Sequence, residues 1–192
     1  MKQDIILCGV GGQGILSIAT VIGEAATAAG LNLKQAEVHG MSQRGGDVQS
    51  DLRLSTEPIC SDLIPHGAAD IVISMEPMES LRYVQFLSPE GVVITSAKPF
   101  VNIPDYPSSE VLDAELNALP HIVRFDIDEI AQQAGNPRGA NMVLLGMAAQ
   151  YLGILSVDGL RDAIGRIFAR KGEAVVEANK RAFDAGLQAA KE

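Results

Sequence analysis

The sequence predicts an α/β fold of three layers, in which a mostly parallel sheet carries helices on both faces. Three observations support this prediction. Short runs rich in Val and Ile alternate with segments of helical composition, the pattern of strands joined by helical crossovers. Those runs are apolar at nearly every position, as in strands that are buried on both faces. From residue 141 onward the pattern indicates helices only.

The N-terminal segment is predicted to form a strand, a tight turn and a helix. An apolar run at residues 5–8 gives the strand, and residues 15–29 have helical composition and end at Gly30. The turn between them, residues 9–14, contains four glycines. This order is half of a βαβ unit, so the fold has a Rossmann-like start.

The remaining elements are predicted in the same way. The strand at 47–54 alternates polar and apolar residues, which places it near a sheet edge with one wetter face. The prolines between residues 98 and 119 indicate a surface excursion with one short helix. The predicted strands after the first are 31–38, 47–54, 69–75, 91–97 and 122–125. The predicted helices after the first are 77–87, 110–119, 127–134, 141–155, 157–170 and 173–190.

Composition narrows the class of protein. The 192 residues are 47% hydrophobic, which indicates one globular domain over residues 1–192 and excludes a disordered chain. A net charge of -9 argues against a nucleic-acid partner, because phosphate-binding surfaces need clustered cations. The first apolar run breaks at Gly9, too early for a signal peptide or a membrane span. We therefore expect a cytoplasmic protein without a membrane partner.

The cysteines exclude a metal cluster held by this chain alone. The sequence has two, Cys8 and Cys60, whereas an iron–sulfur cluster or a zinc ribbon needs about four ligands. Cys8 lies in an apolar strand pattern, where a thiol behaves as a small hydrophobic group. We expect both thiols to be buried and unreactive, and we predict no metal site.

The glycine turn at residues 9–14 has the form G-x-G-x-x-G after a strand and before a helix. Glycine allows a tight turn and close approach of the backbone to a ligand, and the helix N-terminus then faces negative charge. Glu37 lies roughly where a ribose-binding acid is expected. The same turn can also serve only to pack the helix on the sheet, and the pattern alone leaves both interpretations open. The candidate residues here are Gly9, Gly11, Gly12, Gln13 and Gly14.

A second loop, residues 37–46, has more glycines and more polar or charged side chains than an ordinary connection. Arg44 offers a planar fork of donors for a carboxylate or phosphate, and the glycines allow close approach by another chain. A structural role, with Arg44 paired to a nearby acid and His39 serving only the fold, remains the alternative. The candidate residues are Ser42, Gln43, Arg44, Gly45 and Gly46, with Glu37 and His39 as possible polar contributors.

The two loops together resemble a known family. The letters G-V-G-G-Q-G at 9–14 and E-V-H-G-M-S-Q-R-G-G at 37–46 are similar to those of the small, gamma-type subunits of 2-oxoacid:ferredoxin oxidoreductases. The second loop looks most like that of the beta subunit in the indolepyruvate branch. The resemblance extends over nearly the whole chain and includes E-P-M-E at 76–79 and N-M-V-L-L-G at 141–146.

This resemblance implies a subunit that is not a complete enzyme. In such complexes a large catalytic subunit carries thiamine diphosphate, Mg²⁺ and iron–sulfur clusters. The complex decarboxylates a 2-oxoacid oxidatively with coenzyme A and passes electrons to ferredoxin. We expect the two loops to face the partner's active site, and we assign no catalytic residue to this chain. The isolated chain is expected to self-associate, because its partner-facing apolar surface would need covering.

The alternative function is an independent NAD- or FAD-binding protein of the Rossmann type, suggested by the glycine turn and Glu37. The sequence leaves open which 2-oxoacid is the substrate and how many subunits assemble. It also leaves open whether any residue transfers a proton and whether the glycine turn binds a ligand or only packs.

Overall fold

A computed structural model describes residues 1–39 and 45–191, without the side chain of His39. The described residues form six strands and seven α-helices. The strands are β1 (Lys2–Val10), β2 (Asn32–His39), β3 (Asp47–Ser55), β4 (Ala69–Ser74), β5 (Leu87–Ser96) and β6 (Ile122–Phe125). The helices are α1 (Ile15–Ala28), α2 (Pro77–Leu81), α3 (Ser109–Asn117), α4 (Ile127–Gln133), α5 (Ala140–Ala148), α6 (Val157–Phe168) and α7 (Glu173–Ala189).

The six strands form one sheet in the order β2-β3-β1-β4-β5-β6. Strands β1, β4, β5 and β6 run parallel, and β3 is antiparallel to both of its neighbours. The predicted α/β class with a mostly parallel sheet is confirmed. The Rossmann-like start differs in one respect, because β3 separates β2 from β1. Residues 40–46 are too few for a parallel crossover, which needs about a dozen residues, so β2 and β3 pair as antiparallel neighbours.

Helices cover both faces of the sheet, which gives the three predicted layers. On one face, Ile5 and Leu7 of β1 join a large core with α1, α5, α6 and α7. On the other face, Ile6 and Cys8 pack in a smaller cluster with Tyr83, which follows α2. Successive residues of β1 thus enter different cores, which explains why this strand is apolar at consecutive positions.

Two glycines set the close crossing of α5 and α7. A methyl group on Gly146 would overlap the carbonyl oxygen of Phe183, and one on Gly186 would overlap that of Val143. The two helix backbones therefore touch directly. All nine residues of α5 are buried except the half-buried Asn141. This packing fixes the N-terminus of α5 beside the turn that follows β1.

Several predicted details are corrected by the structure. Helix α2 ends at Leu81 and a short 3-10 turn then leads into β5 at Leu87, four residues earlier than the sequence pattern indicates. Helix α5 ends at Ala148 rather than at residue 155. Cys60 is exposed, so the expectation of two buried thiols is wrong for this residue. Cys8 is buried as expected, and burial raises the pKa of its thiol well above the ordinary range.

Candidate functional site

The glycine turn, residues 9–14, lies at the carboxyl end of β1, where ligands bind in sheets of this kind. Gly14 caps α1 in the left-handed conformation with a φ of 88°. A methyl group there would lie 2.6 Å from Nδ2 of Asn141, whose side chain donates to the Gly14 carbonyl oxygen at 3.2 Å. The turn is therefore fitted against the N-terminus of α5, and both the conformation and the space at this position require glycine.

The backbone donors of this turn are largely used within the protein. The N–H of Val10 donates to Oε1 of Gln13 at 2.7 Å, and the N–H of Gln13 donates to the Val10 carbonyl at 3.1 Å. The N–H of Gly11 donates to the Gly46 carbonyl at 2.8 Å. In a dinucleotide-binding turn such donors face the pyrophosphate. Here three of them are directed to protein oxygens.

The end of the second loop lies on the glycine turn. Besides the bond from Gly11 to Gly46, the N–H of Gly45 donates to the Gly11 carbonyl at 3.4 Å. The carbonyl of Gly45 also accepts from Nδ2 of Asn102 at 2.9 Å. The structure thus brings together the candidate residues Gly11, Gly45 and Gly46. Three further candidates, Ser42, Gln43 and Arg44, lie outside the described residues, as does the side chain of His39.

Glu37 does not approach the glycine turn in the way that a ribose-binding acid does. It lies near the end of the edge strand β2, and β3 separates that strand from β1. Its side chain is exposed and accepts a hydrogen bond from Nε2 of Gln35. The number of residues between Gly14 and Glu37 is like that in a dinucleotide-binding unit, but the order of the strands is different.

A pocket of about 630 Å³ opens beside the turn, at the carboxyl ends of β4 and β5. Gly12 and Gln13 form one side, and Lys98, Phe100 and Arg138 contribute to its other walls. Neither cation forms an ion pair with a described residue. A concave site that mixes apolar walls with a few polar groups suits a bound ligand or an inserted partner side chain.

Glu76 follows β4 at the same end of the sheet and is fully buried. Its Oε2 accepts from the N–H of Glu79 at 2.8 Å, and its Oε1 accepts from the N–H of Phe100 at 3.2 Å and from the hydroxyl of Tyr106. Burial, followed by the bond to Glu76, raises the pKa of Tyr106, so this hydroxyl remains a donor. The sequence shows Glu76 only as part of the E-P-M-E stretch at 76–79, and nothing in that stretch predicts that Glu76 bonds to distant chain segments.

The neighbouring Glu79 is also buried and forms an ion pair with Arg82, with 2.7 Å between Oε2 and Nε. Burial raises the pKa of Glu79, although Arg82 acts in the opposite direction. The part of the chain that the structure describes has no group of three His, Cys, Asp or Glu residues placed to hold a metal ion. Nor does it contain a helix long and apolar enough to cross a membrane.

The sequence and the fold match a known class of redox proteins. The family described as pyruvate ferredoxin/flavodoxin oxidoreductase matches residues 4–189, and the chain belongs to this family. The assignment made from the two loops is therefore confirmed.

Within the family, the chain is 38% identical to the indolepyruvate oxidoreductase subunit IorB of Pyrococcus horikoshii, over 100% of this chain and 98% of that protein. The 2-oxoglutarate synthase subunit KorC of Methanocaldococcus jannaschii matches at 28% identity over 100% and 96%. The predicted likeness to the indolepyruvate branch is thus also confirmed. These relatives are subunits of oxidoreductases, as the sequence analysis expected.

Solved structures show the same fold. The gamma subunit of keto/oxoacid ferredoxin oxidoreductase from Geobacter sulfurreducens superposes with a TM-score of 0.71 at 25% identity, covering 98% of both chains. The 2-oxoglutarate:ferredoxin oxidoreductase from Magnetococcus marinus, solved with 2-oxoglutarate, coenzyme A and succinyl-CoA bound, gives a TM-score of 0.76 at 21% identity. It covers 99% of this chain but 31% of that longer chain, so the fold recurs there as one part of a larger polypeptide.

Proposed function

We propose that this chain is the small subunit of an indolepyruvate:ferredoxin oxidoreductase. The complex would decarboxylate an arylpyruvate oxidatively with coenzyme A, form an acyl-CoA and pass the electrons to ferredoxin. The observation that carries the proposal is the full-length match to IorB at 38% identity, against 28% for a subunit of 2-oxoglutarate synthase. Cys60 is an exposed free thiol, which suits the reducing cytoplasm in which we place the complex.

The large subunit is proposed to hold thiamine diphosphate, Mg²⁺ and the iron–sulfur clusters. The cysteines of this chain do not fit a cluster, since there are two where about four are needed and Cys8 is buried with a raised pKa. When bound in the large subunit, those groups supply the decarboxylation and electron-transfer chemistry. The small subunit contributes by packing, orienting and excluding water.

The end of the sheet that carries the glycine turn is proposed to face the active site of the large subunit. There the turn, the end of the second loop and the pocket lined by Lys98 and Arg138 lie side by side. The apolar side chains of Phe100, Val101 and Ile103 are also exposed at this end. Exposed apolar groups around a polar pocket are characteristic of a protein interface. The same groups would promote self-association of the isolated chain.

The experiment is to purify the chain alone and together with a large subunit from the same genome that carries a thiamine-diphosphate domain and cluster cysteines. We expect neither protein alone to reduce a viologen dye, and we expect the pair to do so with indolepyruvate and coenzyme A. Arylpyruvates should be preferred over 2-oxoglutarate by at least about tenfold. An active pair that prefers 2-oxoglutarate would contradict the substrate assignment, and a pair that does not associate would contradict the subunit assignment.

The NAD- or FAD-binding alternative is tested on the isolated chain by titration with NAD(H), NADP(H) and FAD. The donors already used at Val10, Gly11 and Gln13 and the position of β3 support the expectation that none binds tightly. Micromolar affinity for a dinucleotide would favour the alternative.

Arg44 gives a sharper test of the proposed active-site loop. We expect Arg44→Ala to change the free energy of unfolding by less than about 1 kcal/mol, because loop ion pairs contribute little. In the complex it should lower turnover at least about tenfold, since a desolvated, charge-assisted contact contributes about 1.5–3 kcal/mol. Arg44→Lys should restore only part of the rate, because an ammonium group lacks the two-pronged geometry. Full turnover of the Ala variant in the complex would contradict this role.

A further inference from the structure

Glu76 is a fully buried carboxylate that no cation of the described chain contacts. Its donors are two backbone N–H groups, of Glu79 and Phe100, and the hydroxyl of Tyr106. A buried charge is costly unless hydrogen bonds satisfy it, so such a group is retained where its bonds have a use. The donors come from two separate parts of the chain, which Glu76 holds together.

One of these parts is the 98–107 segment, which connects β5 to α3. Within the described chain, no backbone-to-backbone hydrogen bond joins this segment to the rest of the protein, and the last such bond before it runs from Ala97 to Phe125. Val101 is 70% exposed and Phe100 is 49% exposed, so apolar burial contributes little to holding these residues. The position of the segment depends instead on side-chain anchors.

At its start the segment is bonded to the Ser96 hydroxyl through the backbone of Lys98, and beyond that point Glu76 provides one anchor and Asn102 another. The N–H of Phe100 and the hydroxyl of Tyr106 fix the segment to Glu76. From the middle of the segment, Nδ2 of Asn102 donates to the carbonyl of Gly45 at 2.9 Å, and Gly45 in turn bonds to Gly11. A continuous set of hydrogen bonds thus leads from the end of β4 through the segment to the second loop and the glycine turn.

We propose that Glu76 is a positioning residue for the interface with the large subunit. Its carboxylate holds the 98–107 segment so that Lys98 and Phe100 form their wall of the pocket and the apolar tip, Val101 and Ile103, faces outward. The large subunit is the occupant of this surface, so the inference rests on the proposed function. The patch is continuous with the glycine turn through Asn102 and Gly45, so the subunit that is proposed to cover the turn would cover the patch as well.

A segment that buries little apolar surface contributes little to the free energy of unfolding of the free chain. If the segment is already ordered, less conformational entropy is lost when a partner binds to it. Tyr106→Phe separates these effects, because it removes one donor to Glu76 and keeps the ring. We expect exchange of the Phe100 amide, which donates to Glu76, to become at least about tenfold faster, while the melting temperature changes by no more than about 3 °C. The affinity for the large subunit should fall at least about tenfold.

Tyr83→Phe is the matched control, because the described chain has no hydrogen-bond partner for the Tyr83 hydroxyl. It should change neither exchange in the segment nor affinity. Should Tyr106→Phe unfold the chain, Asn102→Ala tests the other anchor with the same expected exchange and affinity changes. Unchanged affinity in a folded variant whose segment exchanges faster would overturn the positioning role, and unchanged exchange would overturn the anchoring. If wild type does not bind the large subunit, the proposed function fails instead, while the exchange measurement still decides whether Glu76 holds the segment.

Discussion

The two ends of the sheet each hold a fully buried carboxylate, and they do so by opposite means. At the amino end of β1, here called the anchor end, Asp4 is bound by Nε of Arg53 and by Nζ of Lys2, both at 2.8 Å. At the elbow end, which carries the glycine turn, Glu76 is held by neutral donors. Arg53 also donates to the carbonyls of Ser61 and Leu63, so the anchor end ties β1, β3 and the following connection into one unit.

The anchor end thus stabilises the fold, whereas the elbow end is the one proposed to face the large subunit. The nearly buried ion pair between Asp4 and Arg53 fixes the anchor end, because breaking it leaves an uncompensated charge. The elbow end holds Glu76 with neutral hydrogen bonds, although the neighbouring Glu79 is paired with Arg82. It leaves Lys98 and Arg138 without ion-pair partners among the described residues. Parallel sheets bind ligands and partners at their carboxyl ends, so residues at this end are free to be selected for binding.

The largest expected effect comes from breaking the anchor end. Asp4→Asn should lower the free energy of unfolding by about 3 kcal/mol, because it leaves Arg53 largely buried without its carboxylate. Asp113→Asn is the matched control, since it breaks a more exposed pair with Arg124 and should cost less than about 1 kcal/mol. Urea unfolding of the isolated chain measures both. A cost below about 1 kcal/mol for Asp4→Asn would show that the ends do not differ as described.

A smaller effect is expected from a pair of glycines, one at each end. Gly14 at the elbow end and Gly67 before β4 at the anchor end have left-handed φ angles of 88° and 74°. Alanine at either position should cost about 1–2 kcal/mol for conformation alone. At Gly14 the methyl group also meets Asn141 at 2.6 Å, whereas at Gly67 nothing lies within 4 Å. Gly14→Ala should therefore destabilise the chain by roughly 1–2 kcal/mol more than Gly67→Ala.

Thermal and urea unfolding of the two alanine variants give this difference. Equal losses would mean that the Asn141 side chain moves aside at little cost, so that the close fit between Gly14 and Asn141 does not set the position of the turn.

The same contrast explains what the sequence could predict. The strand, turn and helix at residues 1–30 follow from neighbouring residues. The short connection at 40–46 accounts for the antiparallel pairing of β2 with β3, whereas the pairing of β3 with β1 was not predicted. The role of Glu76 depends on Tyr106, 30 positions away, and that of Gly45 on Asn102, 57 positions away. Such pairings leave no local pattern.

The smallest expected effect concerns how the free energy of unfolding depends on pH. The contributions of Asp4 at the anchor end and Glu79 at the elbow end should change with pH in opposite directions. Burial alone would raise the pKa of Asp4, but Arg53 and Lys2 outweigh it and lower the pKa below its usual value of about 3.9. Asp4 thus contributes stability that is complete above that value and is lost as the pH falls through the folded-state pKa. Burial raises the pKa of Glu79 above about 4.3, so its contribution is complete below that value and is lost as the pH rises.

Unfolding free energies of wild type, Asp4→Asn and Glu79→Gln, measured from about pH 3 to pH 7, test these signs. The free energy of unfolding of wild type minus that of Glu79→Gln should grow as the pH falls toward about 4.3. The free energy of unfolding of wild type minus that of Asp4→Asn should shrink below about pH 3.9. Each slope is limited to about 1.4 kcal/mol per pH unit, the value for one proton. The two windows do not overlap, so the effects can be separated in one titration. If both differences shrink with acid, Glu79 is stabilised as a carboxylate by Arg82, and the two ends hold these acids in the same way.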